Sequence, residues 1–424
     1  MTSSATFSRH PGAAWSRRSD MKVAFVTWKF PALSNTFILN EIVEVLRRGC
    51  EVAIYSIGRS DDTVLHQDIK TYSLLERTFY LDDFRPSVRG EVGEMARYSA
   101  DWLGDRVDAL KPLAEHMRRT GVSVVHGCFA NNSATVAMVA ARHVGLPFTF
   151  ECHAHDLFVD LRYADEKVAE ARRVFSISEY NRQFLCADLR CAADKVVIRR
   201  VPILTEFCDS IDAGPRRPGL IVSVARLHAI KGYDVAISAF AKVVAAVPSA
   251  RYAIIGEGEL RPALEMQARR LGIADKVEFL GSMTNQDTLR LVRQATAFVL
   301  PSRIDEHGDR DGIPTSMIEA MYLRTPAVST RVSGIPELVD DGVDGFLAEP
   351  EDVDTIAARL QQLLTDPGQR ERMGEAARQK VLARFDVQKN IDVLLEHWRS
   401  ICRGRRPEPT RGGLWGRLRR LLVR

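Results

Sequence analysis

The stretch LIVSVARLHAIKGYDVAISAF, residues 220–240, changes its periodicity halfway along. It opens with an apolar, β-branched run of strand length. After a polar interval holding two cations, YDVAISAF takes up helical spacing behind a glycine. A strand that feeds a helix this directly is half of a β-α-β unit, and the same alternation extends outward in both directions.

Downstream, the strand candidates are RYAIIG (251–256), KVEFLG (276–281), TAFVLP (296–301), PAVST (326–330) and DGFLAE (344–349), separated by helical segments such as ELRPALEMQARRLG. Upstream, TEFCDSIDAGPRRPG (205–219) replaces periodicity with turn formers and charges and reads as a linker. Before it a second series runs through KVAFVT (22–27), EVAIYSI (51–57), SVVHG (123–127), PFTFEC (147–152) and RVFSIS (173–178). The expected fold class is therefore α/β, with two Rossmann-like doubly wound domains facing a central cleft. The expected division is 1–20, a disordered extension; 21–205, the first domain; 206–219, the linker; 220–385, the second domain. A helix over 386–402 is expected to pack back toward the first domain, ahead of a basic amphipathic tail at 403–424.

Composition agrees with two globular domains: 46% hydrophobic, 27% charged and 8% aromatic, with no apolar run long enough to cross a bilayer. The seven cysteines are scattered without C-x2-C pairs, which points to a reducing compartment. Residues 1–20 lack an apolar core and do not read as a secretory signal; Met21 is a second candidate start. The net charge of +4 is a property of the tail, because residues 403–424 hold eight Arg against one Glu. No stacking aromatics are interleaved with basic runs, so no nucleic-acid partner is expected. In the tail, Leu414, Trp415, Leu418, Leu421 and Leu422 share one helical stripe with arginines largely outside it. Segment 414–424 is thus a candidate in-plane anchor on an anionic membrane surface, with a solvated terminus as the plain alternative.

Candidate chemistry gathers in DRDGIPTSMIEAMYLR, residues 309–324. Pro314 suits the first helical position, and the free N–H groups of Thr315, Ser316 and Met317 with the helix dipole would make an anion site fitted to phosphate. Glu319 falls on the same face roughly 6 Å further along, where a carboxylate can accept both hydrogens of a ribose diol. Asp311, in the preceding loop, would accept hydroxyls beyond the phosphate. Arg226 and Lys231, leaving the strand at 220–225, can neutralise a diphosphate. Taken singly, each residue has a plain alternative: a solvated helix glutamate, a turn-forming aspartate, surface cations.

Together these segments resemble the family-four glycosyltransferases of the GT-B fold, whose signature is a Glu, seven residues and a second Glu. The wording is most similar to the colanic acid and amylovoran branch of exopolysaccharide enzymes: FPALSNTFILNE (30–41), HAHD (153–156) and GIPELVDDGVDGFL (334–347) stand in the order that branch shows. The resemblance spans about residues 21–400. It implies retention of anomeric configuration, and the expected function is a metal-independent, hexosyltransferase-type enzyme without a cofactor, moving a sugar from a nucleoside diphosphate sugar to a polysaccharide or lipid-linked oligosaccharide precursor. With the reducing compartment read from the cysteines and the candidate anchor at 414–424, the expected location is cytoplasmic, peripheral to the inner face of the plasma membrane.

Residue by residue, the resemblance implies that Arg226, Lys231, Thr315 and Ser316 hold the diphosphate and Glu319 the ribose. It puts Asp311 at the sugar hydroxyls, Gly312 and Ile313 among the donor-binding residues, Gly256 and Met283 near the base, His153 facing the transferred sugar, and Ser34, Thr36 and Asp156 on the acceptor side. Asp311, Lys231, Arg226 and His153 form the implied catalytic set. Asp311 departs from the pattern by one methylene, where a Glu is usual. Two rivals stay open, a non-hydrolysing sugar-nucleotide 2-epimerase and a non-catalytic nucleotide-sugar-binding assembly partner. HAHD invites a metal reading that no further ligand cluster supports, and DRD, which mimics a metal-holding D-x-D, precedes a helix with phosphate-binding geometry of its own, so a metal-free site is expected.

Overall fold

The computed structural model describes residues 21–32, 36–60, 66–86, 93–98 and 103–404. The expectations for residues 1–20, for Ser34 and for the tail from 405 onward lie outside them.

The first lobe is built on β1 (Lys22–Phe30), β2 (Glu51–Arg59), β3 (Thr78–Tyr80), β4 (Val124–Gly127), β5 (Phe148–Cys152), β6 (Arg173–Ser176) and β7 (Val196–Ile198). The second holds β8 (Leu220–Val224), β9 (Arg251–Ile255), β10 (Val277–Gly281), β11 (Ala297–Leu300), β12 (Ala327–Thr330) and β13 (Gly345–Ala348). The spatial orders are β3-β2-β1-β4-β5-β6-β7 and β10-β9-β8-β11-β12-β13, and the paired neighbours are parallel, as β1 with β4 and β8 with β11. Both are doubly wound α/β sheets. Every strand read from periodicity is present; β3 and β7, three residues each, are too short to show a period.

Order reverses between β1 and β4 in one sheet and between β8 and β11 in the other. At such a switch point the two flanking crossovers leave on opposite faces and open a crevice at the carboxyl ends of the strands. The loops after β8 and β11 carry Arg226 and Asp311, so topology alone brings together two segments that sequence holds far apart.

Three helices begin beyond the carboxyl ends of β1, β6 and β11: α1 (Thr36–Arg47), α2 (Glu179–Ala187) and α3 (Thr315–Tyr322). A fourth, α4 (Val387–Arg403), returns to the first lobe. Its Val387, Ile391, Leu394, Leu395 and Trp398 join the core of β1 and α1. Trp398 is fully buried, and its indole N–H donates to Thr149 Oγ1 at 3.1 Å, the partner a buried indole requires.

The expected linker is only partly one. Thr205–Asp209 is a short helix with Cys208 buried, and Asp209 accepts from Tyr322 Oη and from Arg378, each at 2.8 Å. The polar composition of 205–209 reflects pairing with the second lobe rather than solvent.

Candidate functional site

The turn after β8 is bound by backbone to the turn after β9. Leu227 N donates to Glu257 O at 2.9 Å and Ala225 N to Ile255 O at 3.1 Å. Gly256 has φ +135°, and a Cβ there would lie 2.0 Å from Ala225 O, so only glycine lets the two turns close. Gly256 thereby supports the Arg226 turn from below, and Met283 is half-buried against the same core. Arg226 is exposed, with no carboxylate in ion-pair range among the described residues. Lys231 ends a short 3-10 turn before Gly232 (φ +63°), whose Cβ would meet Pro301 O at 2.0 Å; this close pass presses the lysine toward the loop after β11.

There Lys231 Nζ is ion-paired with Asp311 Oδ1, and Ser302 Oγ donates to Asp311 Oδ2 at 2.7 Å. Asp311 is 8% exposed. Both of its oxygens are therefore engaged by the protein, whereas its place in a loop before a helix predicts a group free for sugar hydroxyls.

Pro314 is the N-cap of α3, one position earlier than expected. Its carbonyl accepts from Met317 N at 3.0 Å and Ile318 N at 3.2 Å, which removes Met317 from the expected set of free amides. The N–H groups of Gly312, Ile313, Thr315 and Ser316 have no acceptor among the described residues. Ser316 Oγ donates to Val224 O at 2.7 Å and pins the start of α3 to the end of β8, beside Arg226. Four amides and a guanidinium without partners among the described residues, together with a helix N-terminus, thus lie at the second sheet's switch point. Glu319 is half-buried, its carboxylate has no hydrogen-bond or ion-pair partner among the described residues, and burial pushes its pKa up to about 7. A desolvated acceptor without a donor is suited to ligand hydroxyls.

The first lobe differs more from expectation. His153 follows β5, but its ring is packed between Phe37 and Phe129, at centroid distances of 5.1 and 4.8 Å. Nε2 faces Glu151 at 3.5 Å and Nδ1 faces Asp156 at 3.7 Å, and both ring nitrogens are buried. Burial lowers the imidazole pKa, but Asp156 and Glu151 outweigh it and the net direction is upward. The ring is thus held between two phenyl rings and two carboxylates, with only a small part of its side chain exposed. Asp156 is buried too. It accepts from Ala130 N at 2.7 Å and His153 N at 3.0 Å, which makes it a clamp between two loops in place of the expected acceptor contact. Thr36, the first residue of α1, is exposed.

Two features escape a reading of the sequence. Beneath His153, buried Arg199 bridges Glu41 (2.6 Å) and Glu151. Burial pushes Glu41 up to about 7 against the pull of Arg199. Glu41, His126 and Glu151 come close enough to share a cation, but the guanidinium already lies on both carboxylates and His126 Nδ1 is 3.0 Å from Thr149 Oγ1. Glu41 closes the FPALSNTFILNE motif, the one signal that marked it. The second feature joins the lobes. Glu337 accepts from the N–H groups of Glu179 and Tyr180, both at 2.9 Å, and pairs with Arg200 at 2.5 Å; it caps α2 from the other domain. Arg310 adds a bond to Tyr180 Oη at 2.8 Å, His155 lies 3.3 Å from Asp309, and a Cβ on Gly312 would come within 2.6 Å of Ile177. The lobes therefore touch directly beside the open amides.

Comparison with known proteins adds lineage to this geometry. The pattern describing the family "Glycosyl transferases group 1" matches residues 212–380. The WcaL glycosyltransferase assigned to colanic acid biosynthesis in Salmonella typhimurium is 30% identical over 402 residues, 87% of this chain and 97% of that protein. The amylovoran biosynthesis glycosyltransferase of Erwinia amylovora is 27% identical over 392 residues, 86% of this chain and 96% of that protein. Among solved structures, Anabaena HepE in complex with UDP superposes with a TM-score of 0.68 at 17% identity, covering 90% of this chain and all of that one.

Proposed function

Because the chain belongs to the group 1 glycosyl transferases, we propose that it transfers a sugar from a nucleoside diphosphate sugar to a hydroxyl of an exopolysaccharide precursor. The observation that carries this reading is the convergence of Arg226 and the open amides of Gly312, Ile313, Thr315 and Ser316 at the second switch point, with unpaired Glu319 behind them. The relatives that bear the reading are assigned to colanic acid and amylovoran biosynthesis, and one structural neighbour is held with UDP.

In the proposed reaction the bond from the anomeric carbon to the β-phosphate oxygen breaks as the acceptor hydroxyl oxygen bonds to that carbon, its proton going to the departing diphosphate, and negative charge grows on that phosphate. Preorganised N–H donors and Arg226 stabilise the charge as it forms, and this differential stabilisation lowers the barrier. Glu319 holds the ribose diol and fixes the distance of the leaving phosphate from the lobe interface. We assign no covalent nucleophile. Retention of configuration, independence of metal, a lipid-linked acceptor and a peripheral position on the inner membrane face, through residues 414–424, are parts of the same proposal.

A panel of nucleoside diphosphates and their sugars tests the reading by ligand-induced rise in melting temperature, since a ligand that binds only the folded state stabilises it. Arg226→Ala is expected to lose about 2–4 kcal/mol of transition-state stabilisation in kcat/KM, the range for one charge-stabilising donor. A rate within a few-fold of wild type would remove the phosphate assignment. Isomerised nucleotide sugar formed without an acceptor would establish the epimerase reading instead.

A further inference from the structure

Resting on the donor-site reading, we propose that Asp311 is the resident counter-ion of Lys231, with which an incoming diphosphate must share the ammonium. The carboxylate is complete before any ligand arrives. Oδ1 pairs with Lys231 Nζ and Oδ2 accepts from Ser302 Oγ at 2.7 Å. Ser302 is fully buried, and its own carbonyl accepts from Thr330 Oγ1, so its residue is held from both sides. Asp311 is itself 8% exposed, which leaves its charge little freedom to turn toward hydroxyls in the cleft.

The missing methylene gains a meaning from this arrangement. A glutamate at 311 would carry its carboxylate about 1.5 Å further from the backbone, past the position that satisfies Ser302 and Lys231 together. Two cations at the switch point thus differ in state. Arg226 is unpaired among the described residues, while Lys231 is neutralised until phosphate competes for it. Recognition of the sugar then passes from the Asp311 carboxylate to the adjacent open N–H groups of Gly312 and Ile313.

The test is calorimetric titration of the full chain with inorganic pyrophosphate, which needs no knowledge of the base, and with UDP and UDP-glucose. Asp311→Asn keeps the shape, since its amide can still meet Ser302 Oγ and Lys231. Removing the competing charge is expected to tighten pyrophosphate on the order of tenfold, with Asp311→Ala moving the same way as a second neutral variant. Asp311→Glu, which retains the charge, is expected to bind pyrophosphate no tighter than wild type. Unchanged or weaker pyrophosphate binding in both neutral variants, with melting temperatures near wild type, would overturn the proposal; if UDP-glucose alone weakened, the carboxylate would be a sugar acceptor after all. A wild type that binds neither pyrophosphate nor any nucleoside diphosphate would remove the donor-site reading and the counter-ion role with it.

Discussion

Replacing Glu319 by Gln separates the stability of the empty protein from its ability to hold a nucleotide. In the folded chain burial lifts this carboxyl from 4.5 to about 7, with nothing nearby to offset it. The raised value means the folded state binds the proton more tightly than the unfolded one. The penalty is absent below about pH 4.5, grows as pH rises, and is complete above about pH 7. At about 1.4 kcal/mol per pH unit that interval caps the penalty near 3.5 kcal/mol, and partial exposure of the residue reduces it to roughly 2 kcal/mol. Glu319→Gln is neutral at every pH. At pH 8 it should melt about 4–8 °C above wild type, the shift such an energy produces in a domain of this size, and near pH 4.5 the two should coincide. The same substitution should weaken nucleotide binding by about 1.5–3 kcal/mol, the value of hydrogen bonds to a charged acceptor. Wild-type affinity should also rise with pH between 4.5 and 7, because hydroxyl donors favour the ionised form. Differential scanning fluorimetry at the two pH values, with and without nucleotide, reads all of this. Equal melting temperatures at pH 8, or a full nucleotide response in the variant, would refute the description of Glu319 as a desolvated carboxylate awaiting a ligand.

Further expectations concern the lobe contact and the tail. Glu337→Ala strips the cap from two α2 amides and leaves Arg200 without its partner; a loss of about 1–2 kcal/mol is expected from urea denaturation, and an unchanged midpoint would show that the lobes are not held through this residue. Deleting residues 405–424 should release the protein from anionic vesicles while leaving turnover on a soluble acceptor intact, at about 1 kcal/mol lost for each basic side chain near the surface. Undiminished vesicle sedimentation of the truncated chain would rule out the anchor.

How legible each feature is depends on the distance over which it is encoded. LIVSVARLHAIKGYDVAISAF declares a strand, a turn and a helix because periodicity and a glycine with positive φ are local properties. The same holds for RYAIIG, KVEFLG and TAFVLP, and it is enough to expect two doubly wound sheets. The start of α3 is also local, although Pro314 takes the cap and its carbonyl consumes the amide of Met317. The HAHD segment shows its strand exit locally, while the surroundings of the ring are not encoded there. The packing of Phe37 and Phe129, with the carboxylates at 151 and 156, sets the surroundings of His153.

Local sequence thus dictated the alternation of strands and helices, the two-lobed plan, and the pairing of a helix N-terminus with two cations and two carboxylates. Which of those groups are free to act was settled by tertiary contacts alone. Asp311 is tied to a lysine 80 positions away and Glu337 caps a helix 158 positions away, whereas Arg226 and Glu319 meet no partner among the described residues. Whether a charge is spent on the protein or left for a ligand depends on contacts between distant segments, and those exist only once the sheets have set the order of their strands.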